Sequence, residues 1–371
     1  MNKLIILLLL VTKSLLGQNV ETDFSACYSM LSVLEAMKTD LPSEKVAKKI
    51  DSVLRTKPYQ VMFQHYNRSW RPNHLPEQVF KRMILSLKFK EQYTKGENQR
   101  ADAMFSFWQK EYENLNLYRK NLQLLEKINL PKLIQKGVSG AQKWLPPSMN
   151  IPDFFFFIHP NGGSTAFAIN GNQGYDFFQL DKTKDGLIDV QKLIDIISHE
   201  SHHLGLNTKD KSFTTGKDSL AFRFLMTFVA EGTASKFVDN MPGGIIPKVS
   251  KGGSRNYDSV IKQIWEKYSK EEQSLYMSFE SDFEKIYNGT YNKDSVQNRM
   301  TTYWLSGIKG RAYFLGAELF GAVYKAFGKE KLFEVMEDPT MLFKIYNLAV
   351  AKLRKKGIKA IFLSTWLTSI F

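Results

Sequence analysis

Residues 189–205 read Asp189-Val-Gln-Lys-Leu-Ile-Asp-Ile-Ile-Ser-His199-Glu200-Ser201-His202-His203-Leu204-Gly205. The chain has six histidines in 371 residues, and three of them fall in this one stretch. At about 100° per residue, Leu193, Ile194, Ile197 and Leu204 form an apolar stripe, which predicts a helix. Gly205 reads as its C-terminal stop. On a helix, positions i and i+4 lie one above the other. His199 and His203 therefore share a face opposite the stripe and can grip one metal ion. Glu200 lies beside that pair, within reach of a water at the metal. His202 reads as a supporting or surface histidine.

Two imidazoles and a carboxylate base in this order, His-Glu-x-x-His, suit a zinc hydrolase. A catalytic zinc takes three protein ligands and keeps one position for water. The third is expected in Leu220–Asp239, an apolar helical stretch with one carboxylate at its middle, Glu231. Asp218 and Ser219 precede it as candidate N-caps. A buried carboxylate is costly unless paired or metal-bound. Ala230, Gly232 and Ala234 are small, which would let this helix approach the first one closely. Asp239, Glu318 and His159 are weaker candidates. Cys27 is the only cysteine, which excludes an intramolecular disulfide and a cysteine-ligated zinc.

His199-Glu200-Ser201-His202-His203, then Ala230-Glu231-Gly232-Thr233-Ala234, then Tyr313-Phe-Leu-Gly316 resemble the gluzincin metallopeptidases. More narrowly, they resemble bacterial domains of unknown function described as zinc-dependent peptidases. The likeness covers roughly residues 150–340. It implies a zincin-like lobe, Zn2+ held by His199, His203 and Glu231, and Glu200 as base. It does not imply a known substrate, and a peptide or protein substrate is the expectation that goes with peptidase chemistry. Many gluzincins carry an acid four positions after the ligand Glu. Here Ser235 stands there, and Asp239 is the substitute candidate.

Three strands are expected ahead of the motif helix: Asp153–Pro160, Ser164–Asn170 and Tyr175–Leu180. Asn161-Gly-Gly and Gly171-Asn-Gln-Gly separate them. An edge strand beside the helix could align an extended peptide. Phe154 to Phe157 read as core. Residues 24–38, 42–55, 75–93, 97–128, 130–143, 256–287, 297–307, 312–327, 329–337 and 340–355 read as helices. Residues 240–257, rich in Gly, Lys and Pro, read as a loop near the cleft. The expected fold is α+β and predominantly helical, with a small sheet next to the motif helix. The expected domains are a leader over 1–17, a helical N-terminal lobe over 18–148, and the catalytic lobe with its helical C-terminal part over 149–371.

Met1-Asn-Lys followed by the apolar run Leu4–Val11 suits a secretory signal peptide cut near Gly17–Gln18. Eight apolar residues are too few to span a bilayer, which needs about twenty. A periplasmic or secreted protein is expected. The chain is basic, with a net charge of +14. The excess is dispersed, apart from a denser run at Lys352-Leu-Arg-Lys-Lys-Gly-Ile-Lys. Weak attraction to acidic envelope surfaces follows from that balance, and no specific nucleic-acid recognition does.

The function expected is zinc-dependent hydrolysis of peptide bonds, with Glu200 as general base and Tyr313, or secondarily Tyr303, stabilising the oxyanion. The alternatives are a non-catalytic zinc-bearing exported binding protein and a cationic envelope-binding protein whose motif is incidental. An intact Glu200 argues against both, because structure alone requires no base there.

Overall fold

The computed structural model describes residues 10–13, 19–68, 73–207, 219–251 and 258–370. The fold is α+β and predominantly helical, with one five-stranded sheet. Two compact units divide the chain. One comprises Met1–Gly137 and Pro152–Glu200, the other Val138–Ile151 and Ser201–Phe371. This partition groups the strands with the N-terminal helices, unlike the sequence boundary after residue 148.

The first unit is organised by β3, Phe154–His159, which is buried along its whole length. It runs parallel to β2, Asn19–Asp23, on one side and to β5, Asn172–Asp176, on the other. A central parallel strand is covered on both faces, so its sequence is a continuous apolar run rather than an alternation. Each buried Phe contributes on the order of 2 kcal/mol of hydrophobic stabilisation. β4, Ala166–Ile169, pairs antiparallel with β5 through Asn170-Gly171, whose φ values of 46° and 71° are both positive. Such a two-residue Asn-Gly loop matches the twist of its flanking strands. The third strand thus begins at Asn172, three residues earlier than the sequence reading placed it.

At the other edge, β1, Leu10–Lys13, pairs antiparallel with β2. Of the expected leader, only these four residues are described, and the expected cleavage near Gly17 lies outside the described residues. Removing 1–17 would leave β2 at the edge. β2 was not expected from the sequence. Its partner lies more than a hundred residues away, and nothing local announces a parallel pairing.

Helices α1 (Ser25–Met37), α2 (Ser43–Leu54), α3 (Lys57–Tyr66), α4 (Glu77–Leu85), α5 (Gln99–Glu113) and α6 (Leu115–Lys127) complete this unit. They are tied to the strands by buried polar contacts. Tyr59 Oη donates to the Pro160 carbonyl at 2.8 Å and Cys27 Sγ to the Ile158 carbonyl at 3.3 Å. Trp108 Nε1 donates to the Asn161 carbonyl at 2.9 Å. The Asn161-Gly162 turn is fixed by Asp176, which accepts from both backbone N–H groups at 2.9 and 2.8 Å.

α7 (Leu130–Gln142) and α8 (Val190–Asn207) each run across the boundary between units. The second unit otherwise contains α9 (Ser219–Thr233), α10 (Ser259–Lys270), α11 (Glu272–Tyr287), α12 (Lys293–Arg299), α13 (Arg311–Phe327), α14 (Lys329–Glu337), α15 (Leu342–Arg354) and α16 (Thr365–Thr368). α13 is buried without interruption from Phe314 to Val323. An aromatic core joins α9 to its neighbours. Phe224 stacks on Phe279 with centroids 5.8 Å apart, and Phe228 meets Trp304 edge-on at 5.0 Å. No helix among the described residues is long and apolar enough to cross a membrane.

Candidate metal centre

α8 begins where Asp189 accepts from the backbone N–H groups of Gln191 and Lys192 at 3.0 and 3.1 Å. That cap satisfies donors that no turn of the helix can reach. The helix does not stop at Gly205 but continues to Asn207. Gly205 serves packing instead, since a Cβ there would come within 2.2 Å of Leu145 Cδ1. Leu193, Ile197 and Leu204 are buried as the stripe requires. The opposite side is not a solvated surface either, because Ser198 to His202 are all buried.

The unit boundary falls between Glu200 and Ser201, inside one unbroken helix, so the α-helical rise alone holds His199 and His203 a turn apart. His199, His203 and Glu231 each offer one ligand atom, and these atoms all lie within 4.8 Å of one another. His203 Nε2 stands 3.5 Å from Glu231 Oε2. Two ligands each about 2.1 Å from a tetrahedral zinc would stand about 3.4 Å apart. The separation is long for a charge-assisted hydrogen bond, which lies near 2.8 Å, and suits two atoms facing a shared cation. The side chains of His203 and Glu231 keep 14% and 20% of their exposure.

Glu231 owes its place to α9. The adjoining Gly232 lies against α13, where an added Cβ would fall 2.3 Å from the Gly316 carbonyl carbon. Of the small residues expected to admit α8, Gly232 makes its close approach to α13. One turn beyond Glu231 the helix widens into a π-helical stretch, Ala234–Val238, closed by Asp239 N–H to the Ala234 carbonyl at 2.8 Å. π-turns within helices often mark functional sites.

The weaker ligand candidates are engaged elsewhere. His159 is fully buried on β3 against Tyr59 and Phe157, and burial pushes its imidazole down to about 3. Glu318 accepts the Ile245 backbone N–H at 2.8 Å and faces Lys236. Asp239 pairs with Lys309 at 3.6 Å. His202 is fully buried, with Nε2 3.3 Å from the Trp144 carbonyl, so the surface role allowed for it is excluded. Asp218 lies outside the described residues, as do 252–257 of the expected loop.

Tyr313 stands in the first turn of α13, partly buried against Met241, Ile261, Trp265 and Phe314. Lys309 Nζ lies 4.7 Å from its ring centre. Tyr303 donates to Ser278 Oγ at 3.3 Å and is flanked by the guanidinium groups of Arg299 and Arg311.

Glu200 retains 8% of its exposure. Sequence reasoning missed its neighbour on β5, Tyr175. Burial raises the Tyr175 hydroxyl far above its ordinary range, and the Glu200 carboxylate adds to that shift. Tyr175 Oη donates to Gln173 Oε1 at 2.7 Å, so two alternate residues of one strand project together on one face. The Gln-x-Tyr spacing is the only local signal of this arrangement. The edge strand β4 is partly covered, since its Ala168 carbonyl accepts from Arg68 Nη2 at 3.2 Å.

Two imidazoles one turn apart and a carboxylate from a second helix could hold a metal ion between two histidines and one carboxylate. The chain belongs to the family whose model carries the description "Putative zinc dependent peptidase (DUF5700)", which matches residues 50–355. No curated protein and no solved structure matches the chain.

Proposed function

We propose that this protein is an exported zinc peptidase of the gluzincin kind. The observation that carries the reading is the convergence of His199, His203 and Glu231 ligand atoms within 4.8 Å, with Glu200 next in sequence to the first of them. Zinc bound by these three residues would lower the pKa of a water and polarise the scissile carbonyl. Glu200 takes the water proton and delivers it to the departing amine. Its burial restricts exchange of the carboxylate with bulk water. Tyr313 is assigned to the developing oxyanion. It stands one turn before Gly316, whose packing against Gly232 sets α13 alongside the Glu231 helix.

Metal content of the purified chain tests the centre. The wild type should hold about one zinc per chain and His199→Ala far less. Full zinc in both would remove the assignment. Export is supported by the basic start and apolar run of residues 1–13. The N-terminal sequence of protein from its native host should begin near Gln18, and an intact Met1 would overturn that part.

A further inference from the structure

The last quarter of the second unit carries a face that the metal centre does not use. No Asp or Glu follows Asp338, whereas Lys344, Lys352, Arg354, Lys355, Lys356 and Lys359 do. On α15 the buried residues Leu342, Phe343, Tyr346, Ala349, Val350 and Leu353 occupy one side. At about 100° per residue, Lys344, Leu348 and Lys352 fall on the opposite side, with Lys355 continuing the row just past the helix end. All four are exposed. Leu348 keeps 52% of its exposure in the middle of this cationic row, where a polar residue would be the ordinary choice.

The chain then turns back along α15. Arg354 Nε donates to the Ala360 carbonyl at 2.8 Å, and Tyr346 Oη donates to the Ile361 carbonyl at 2.8 Å. Asn347 bonds Leu363 in both directions, at 2.8 and 2.9 Å. This returning segment is thereby fixed to the helix. It presents Phe362, 43% exposed, beneath the Arg354 guanidinium at 4.6 Å, and it carries the exposed Lys359. Asn347, next to Leu348, bonds Leu363, next to Phe362. Leu348 on α15 and Phe362 on the segment bonded to it are thus two exposed apolar side chains within this cationic stretch.

We propose that this face, the outer row of α15 with the returning segment 358–363, docks the protein on an anionic lipid surface. Charge complementarity selects the partner's sign. Each lysine near an anionic membrane contributes about 1 kcal/mol, which is about fivefold in partitioning. The exposed Leu348 and Phe362 select lipid over a soluble polyanion, because apolar side chains gain by entering the headgroup boundary and gain nothing from a phosphate or sulfate chain in water. The inference is independent of the peptidase reading, since neither Lys nor apolar residues here belong to the metal centre.

The test is co-sedimentation of the full chain with phosphatidylcholine vesicles, with or without phosphatidylglycerol. Binding should require phosphatidylglycerol and weaken with added salt. Lys352→Gln with Lys355→Gln should weaken it about 25-fold, two fivefold steps. The matched pair Lys262→Gln and Lys267→Gln, exposed on α10, should change it less than threefold or so. Leu348→Ser with Phe362→Ser should weaken vesicle binding about tenfold or more while leaving binding to heparin unchanged. All six side chains are exposed, and an unfolding midpoint equal to that of the wild type shows that each variant keeps the fold. Wild type that ignores phosphatidylglycerol overturns the proposal. So does a Leu348/Phe362 variant that binds vesicles like wild type, which would mark the face as a general polyanion surface. Equal losses from the α10 and α15 lysine pairs would assign the attraction to net charge and overturn the face.

Discussion

Gly232 and Gly316 meet backbone to backbone: a Cβ on Gly232 would fall 2.3 Å from the Gly316 carbonyl carbon, and one on Gly316 would fall 2.3 Å from the Phe228 carbonyl oxygen. Neither obstacle is a flexible side chain, so α9 and α13 would have to part. Gly232 adjoins Glu231, so the contact fixes both the stability of the second unit and the position of a candidate ligand. Gly232→Ala should destabilise the chain by about 1–3 kcal/mol, the range for overpacking a filled interior. It should also weaken zinc binding. Urea unfolding and metal analysis of the same preparation check both. An alanine variant as stable as wild type would show that the helices are not held this close.

Lys236 is almost fully buried, and its ammonium donates to the carbonyls of Met241 at 3.1 Å and Gly243 at 2.9 Å, and to that of Ile246. Glu318, also buried, accepts from Ile245 N. Burial pushes the Lys236 ammonium down and the Glu318 carboxyl up, and each charge partly restores the other. Lys236 ties residues 241–246 to the π-helical stretch, and Glu318 ties them to α13. A buried acceptor left without its donor costs about 1–3 kcal/mol. Lys236→Met, which orphans the carbonyls it serves, should therefore lower the unfolding free energy by about 3 kcal/mol. It should also raise hydrogen exchange at Gly243–Ile246, measured by mass spectrometry. Unchanged exchange there would remove the tie.

The motif helix could be read from sequence because its signals are local: apolar spacing at about 100° per residue and two histidines four apart. Glu231 could be read because it is the one carboxylate in an apolar helix. α3 is absent from the expected helices; Pro58 stands in its first turn, where a missing N–H costs nothing, so a proline that reads as punctuation opens a helix instead. β5 starts early because the turn is only Asn170-Gly171, so Asn172, Gln173 and Gly174, which read as part of the Gly171-Asn-Gln-Gly separator, belong to the strand. Tyr175 beside Glu200, the Lys236–Glu318 pair and the Gly232–Gly316 contact depend on residues far apart in sequence, so no window of neighbouring residues contains them.

His159 gives a pH dependence with a definite sign. Burial depresses its folded-state pKa from 6.5 to about 3. The unfolded chain therefore binds a proton that the folded chain refuses throughout this window. Stability is fully present above the unfolded value and is lost as pH falls towards 3. Between pH 7 and pH 5 this one group should remove about 2 kcal/mol. His159→Phe, which keeps an aromatic ring among Tyr59 and Phe157, should lose correspondingly less stability over that interval. Urea midpoints at the two pH values decide it, and identical losses in both proteins would mean that another group governs the acid limb.

Glu200 separates catalysis from metal binding. It adjoins His199 on α8, is buried, and lies near Tyr175 rather than among the three converging ligand atoms. Glutamine has nearly the volume of glutamate and can keep a hydrogen bond, but it cannot accept a proton. Glu200→Gln should thus leave zinc content and unfolding midpoint near wild type. Loss of a general base typically removes a factor of about 100 to 10,000 in rate. The loss should appear in kcat with little change in KM, because the missing interaction is made in the transition state. With the substrate unidentified, the assay is a mixed peptide library read by mass spectrometry, with zinc content measured on the same samples. Equal cleavage by both proteins would assign the activity to another residue. A zinc-loaded wild type that cleaves nothing would favour a binding role for the same centre. Zinc lost along with activity in Glu200→Gln would place Glu200 among the ligands and displace one of the three assigned here.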